Sequence, residues 1–110
     1  MTMPAIPPDH HGPFAKVVSI AAPALTMADW LQSLNIAKHP LDFHEMNPVL
    51  GRHPSEGSVN TYMALATLGS LLAPEAVPQK LRTPLRTAWA ALELANVIRN
   101  RRIGIGMSLP

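Results

Sequence analysis

The apolar positions of this chain fall into three blocks, separated by two stretches crowded with proline and glycine. The first block, Ala15 to Ala37, reads AKVVSIAAPALTMADWLQSLNIA. At about 1.5 Å per residue, a helix of this length suffices to cross a hydrocarbon core of roughly 30 Å. Pro23 inside the block predicts a kink, which helices in lipid tolerate better than helices in water. The second block opens at Ser58 as an N-cap and runs from Val59 to Ala73, with the uncharged sequence YMALATLGSLLA. Such a helix reaches only about 22 Å, so it must tilt or continue past Pro74 to span a bilayer. Ala66, Gly69, Ser70 and Ala73 are small residues at helical spacing and admit a close neighbour. In the third block, Thr83 followed by Pro84 predicts an N-cap with proline at the first helical position, and a helix to about Arg102. Steps of four, three and four place Trp89, Glu93, Asn96 and Asn100 on one face. Leu85, Ala88, Leu92 and Ala95 lie on another, apolar face. Gly104 and Gly106 end this helix, and the short tail after them is expected to fray.

The connections carry the remaining signal. Residues 1–14 contain Pro4, Pro7, Pro8 and Pro13 and no apolar periodicity, which predicts an extended arm. Residues 38–57 hold Pro40, Pro48, Gly51, Pro54 and Gly57, and Phe43, Met46, Val49 and Leu50 offer this connection apolar anchors. Asn47 before Pro48 is disfavoured for helical backbone, and its side chain suits the capping of a turn. Glu45 is placed to accept from that turn or to pair with Arg52. No alternating run is long enough for a sheet. The expected fold is therefore all-α: a three-helix bundle, read as transmembrane, with one domain over residues 15–106, a proline-rich arm over 1–14 and a tail over 107–110.

Composition bears on the surroundings of that bundle. Apolar residues make up 47% of the chain and charged ones 15%, well below the roughly one quarter charged of an average soluble domain. Mean hydropathy is only +0.11, which leaves a soluble helical bundle as a competing reading. The net charge of +2 owes much to Arg99, Arg101 and Arg102, which are suited to lipid head groups at a helix C-terminus. The cluster is short and has no interleaved aromatics, so no nucleic-acid partner is expected. Without cysteine, disulfides and thiolate chemistry are excluded. The N-terminus lacks the basic and apolar regions of a cleaved signal, so insertion would be uncleaved.

Two carboxylates lie inside apolar blocks: Asp29 in the first and Glu93 in the third. In lipid each acid needs a partner. Asp29, Glu93, Asn96 and Asn100 are accordingly expected to form a structural polar network, and an amphipathic soluble helix with a solvated polar face is the competing reading. His39, Asp42, His44, Glu45 and His53 match no metal-ligand spacing, so no metal site is expected. Nucleophile elbow, P-loop and dinucleotide fingerprint are all missing, which predicts a protein that is not an enzyme and holds no cofactor.

The stretch ADWLQ…HEMNPVLGRHPS, from Ala28 to Ser55, resembles a family of small multi-pass membrane proteins of bacteria and phages. That family places an aspartate in its first transmembrane helix and an acidic-x-Asn-Pro element in the following loop. Asp29 takes the first role here, and Glu45, Asn47 and Pro48 the second. The resemblance implies a multi-pass location in the bacterial inner membrane, with the lipid bilayer and either a second copy or another membrane protein as partners. The expected function is non-catalytic, through helix association or partner binding in a phage or prophage setting. A holin-like lysis protein and a soluble phage accessory or interaction protein are the alternatives.

Overall fold

A computed structural model describes residues 12–109, and these form three α-helices with no strand among them. Helix α1 covers Pro13–Lys38, α2 covers Glu56–Leu72 and α3 covers Gln79–Arg102, with a short 3₁₀ turn at Ala73–Ala76 before α3. The all-helical expectation holds. Residues 1–11 of the expected arm lie outside the described residues, but Pro13 and Phe14 belong to α1 rather than to an arm. Pro13 opens the helix because its fixed φ suits the first turn and its missing N–H would have had no partner there. The helix continues through Pro23 to Lys38 and stops where His39, preceding Pro40, leaves the helical region at φ −129° and ψ 61°.

The other two helices both start earlier than the sequence predicts. Ser55, not Ser58, caps α2: its hydroxyl accepts the Ser58 amide at 3.1 Å. Glu56 then adds an acid to the first turn, where the helix dipole favours one. Helix α3 begins at Gln79, so Pro84 lies inside it and Thr83 is no cap. The added turn is held from outside the helix. Glu75 takes ion pairs from Arg82 at 3.3 Å and Arg86 at 2.8 Å, and Arg82 also donates to the carbonyls of Glu75 and Val77.

Helix α1 is the shared element, with α2 and α3 packed on it side by side. The apolar core is small: Leu34, Val59 and Met63, with Trp30, Ala37, Leu50 and Tyr62 against them. The tail is no fray. Ile105 is buried, Ser108 donates its amide to the Leu31 carbonyl, and Asn35 and Lys38 bond to Ser108 and Leu109. Gly104, at φ +89°, makes the reversal that lays residues 105–109 back along α1.

Polarity is inverted across much of the bundle. Thr26, Gln32, Ser33, Glu45, Ser70 and Asn100 are buried, while Phe14, Val17, Ile20, Leu65, Leu68, Leu72, Leu92 and Ile98 are exposed. On α3 the face bearing Ala88, Leu92 and Ala95 points outward, and Glu93 and Asn100 point toward α1. Scattered exposed leucines need no explanation, but buried polar groups beneath an apolar exterior do.

Candidate functional site

Two of these buried polar residues, Glu45 and Asn100, line a cleft of about 370 Å³ between α2 and α3. Asp29 of α1 lines it, together with Tyr62, Met63 and Ala66 of α2 and Trp89, Glu93, Asn96, Arg99 and Asn100 of α3. Glu45, Met46, Asn47 and Pro48 of the connecting loop complete the wall. The network residues and the loop residues, two separate groups in the sequence reading, thus share one cavity.

Hydrogen bonds pin the helices around it. Trp89 Nε1 donates to Thr26 Oγ1 at 3.0 Å, and Thr26 passes its own proton to the Ala22 carbonyl at 2.7 Å. Asn100 Nδ2 donates to Gln32 Oε1 at 3.0 Å, and Gln32 Nε2 donates to the Val97 carbonyl at 3.2 Å. Trp30 Nε1 ties α1 to α2 through Asn60 Oδ1 at 2.8 Å. Each of these polar groups withdrawn from solvent finds a partner, which offsets its desolvation cost. At Gly69 the α2 backbone comes so close to Trp89 that an added Cβ would sit 3.3 Å from the indole ring.

The loop fixes one carboxylate rigidly. Glu45 Oε1 accepts the amides of Met46 and Asn47 at 3.1 and 3.2 Å, and the Glu45 amide donates to the Arg52 carbonyl at 2.7 Å. Arg52 is therefore a backbone partner of Glu45, with no ion pair between their side chains at salt-bridge distance among the described residues. Asn47 Oδ1 accepts the Val49 amide, and the Asn47 carbonyl takes those of Leu50 and Gly51. Gly51 closes the turn at φ +80°, where a side chain would be strained. Pro48 is exposed at the rim, as are Met46 and Val49, so only Phe43 and Leu50 of the expected apolar anchors are half-buried.

Asp29 and Glu93 face one another within side-chain hydrogen-bonding reach. Two carboxyls at that reach bond directly only when they share a proton, which one of them donates to the other. The second oxygens of Glu93 and Glu45 are buried without a hydrogen-bond partner.

The remaining sequence candidates are distributed differently. Asn96 is exposed yet reaches the cavity wall, Arg99 lines the cavity, and Arg101 and Arg102 point to the outside. Among the described residues, no three histidine, aspartate or glutamate side chains converge as a metal-ligand set. Sequence reasoning missed the reach of Glu45 into the Asp29–Glu93 cleft and the tail contacts of Ile105 and Ser108. It also missed Thr26 and Trp89 as a pair, whose only advance sign is a hydroxyl and an indole within apolar segments. No protein family, curated protein or solved structure matches the chain.

Proposed function

We propose that this chain is a small membrane-embedded helical protein that acts by associating with a partner and not by catalysis. The observation that carries the reading is the inverted polarity of the bundle. A surface of Phe14, Val17, Ile20, Leu65, Leu68 and Leu92 encloses a seam of Thr26, Gln32, Glu45, Ser70 and Asn100. Lipid favours that arrangement, because it leaves apolar side chains outside and demands that polar groups satisfy one another inside.

Helix α1 is the inserted element. It is the one helix among the described residues long and apolar enough to cross a membrane, and most of its apolar stretch is left uncovered by the rest of the chain. Support for a multi-pass arrangement is coarser. Helix α2 has 17 residues, about 25 Å, and the part of α3 free of basic residues lies between Arg86 and Arg99. These two helices pack on α1 with their outer apolar faces toward lipid and do not supply full spans of their own. Glu75, Arg82 and Arg86 mark one charged rim of the apolar belt, and Lys38, Glu56, Arg101 and Arg102 the other.

The partner is a second copy or another membrane protein, held through those outer faces, in a phage or prophage setting. Membranes from cells making the chain, washed with alkaline carbonate, test the proposal. Retention in the pellet until detergent is added is expected, and release by carbonate alone overturns it. A holin-like version further predicts loss of membrane potential on expression. The soluble alternative draws on one specific feature, the short apolar reach of α2 and α3. It requires a partner protein over the same leucines.

A further inference from the structure

Helix α2 is uncharged from Ser58 to Leu72 and carries an apolar stripe on its outer side. Thr61, Leu65, Leu68 and Leu72 follow steps of four, three and four, and all are exposed, the leucines by more than half. That is the seam spacing of two helices packed knobs into holes. Along its first half the stripe borders a groove of about 610 Å³, lined by Val49, Leu50, Ser58, Thr61, Tyr62 and Leu65 among others. At the other end Leu71 and Leu72 stand exposed. We propose, on the footing of a membrane-embedded bundle, that the chain inserts in both orientations and that two oppositely inserted copies pair through this seam.

Charge and shape select that partner and that direction. The bonds Trp89–Thr26 and Asn100–Gln32 run α3 parallel to α1, and Trp30–Asn60 and Lys38–Glu56 run α2 antiparallel to it. The nine lysines and arginines therefore divide between the two rims of the apolar belt. Lys38, Arg52, Arg99, Arg101 and Arg102 lie at the loop end, and Lys16, Lys80, Arg82 and Arg86 at the other. Flanking basic residues set the orientation of a bilayer protein, and five against four sets none. Both orientations are populated in consequence. Shape then fixes how they meet. A two-fold axis midway between Leu65 and Leu68 sets Leu65 against the partner's Leu68 and Thr61 against the partner's Leu72. Each Leu72 thereby enters the groove beside Thr61 on the other copy. Parallel copies would place groove against groove and leave both unfilled. Groove and filling sit on the same chain, which makes a second copy the occupant.

Without cysteine in the chain, single introduced thiols report orientation and pairing. In sealed right-side-out vesicles an impermeant maleimide should label about half of His53→Cys, and the rest only after permeabilisation. Thr61→Cys and Leu72→Cys, co-expressed with tags of different size, should form a mixed disulfide dimer on mild oxidation. Either variant alone should form none, because its two thiols lie about 16 Å apart along the seam, beyond disulfide reach. Lys16→Gln/Lys80→Gln, at two exposed positions, leaves five basic residues against two. In those variants His53→Cys should label from one side only and the mixed dimer should disappear. One-sided labelling of His53→Cys without these changes, self-disulfides of the single variants, or no disulfide at all overturns the proposal. Carbonate extraction of the same membranes separates the two failures. Retention with any of those outcomes removes the opposed pair alone, and release removes the membrane-embedded bundle as well.

Discussion

The two halves of α1 are built on opposite plans. From Pro13 to Ala28 the buried positions are small or narrow, namely Ala15, Val18, Ala22 and Thr26, while Phe14, Val17, Ile20 and Met27 face outward. From Asp29 to Lys38 the buried positions are Gln32, Ser33, Leu34 and Ile36, and the helix is covered by the tail, the start of α2 and the end of α3. The second half is packed and bonded like the interior of a domain. The first is narrow inside and greasy outside, so its stability and position depend on what surrounds it. One helix thus serves as both core and anchor.

This contrast can be broken by substitution, and the largest effect is expected in the packed half. Leu34→Ala, at a fully buried core position, should cost about 2–5 kcal/mol through lost contacts and the cavity left behind. Ile20→Ala, on the exposed half, should stay within about 0.5 kcal/mol. Denaturant unfolding in mild detergent reads both, and equal costs would abolish the distinction. Asn100→Leu comes next. It strands Gln32 Oε1, for about 1–3 kcal/mol, and a Gln32→Leu/Asn100→Leu double variant should recover much of that loss.

The smallest effect belongs to the cap of α2: Ser55→Ala should cost about 1 kcal/mol, with fraying of the first turn visible in amide exchange.

Three apolar blocks become three helices, because unbroken helical periodicity is a local property that the residues themselves carry. Helix starts are harder to read wherever a distant partner decides them. Nothing near Gln79 announces that Glu75 will hold the first turn of α3 through Arg82 and Arg86. The order of the tail is hidden for a similar reason, since its anchors Leu31, Asn35 and Lys38 lie far along the chain. Within the cleft, the spacing of Trp89, Glu93, Asn96 and Asn100 places them on one face, but spacing cannot say which face turns inward. That face points to α1, and the leucines of α3 point away. Glu45 cannot be joined to Asp29 by sequence reasoning, because a 17-residue connection (39–55) leaves its path undetermined.

The absence of cysteine makes the central claim directly measurable, since any introduced thiol is unique. Ile20→Cys and Leu68→Cys sit on the exposed apolar surface, and His53→Cys sits on the exposed loop. In intact membranes a bulky maleimide should label His53→Cys readily and leave the other two unmodified until the membrane is dissolved in SDS. Equal, rapid labelling at all three positions before solubilisation would contradict the account.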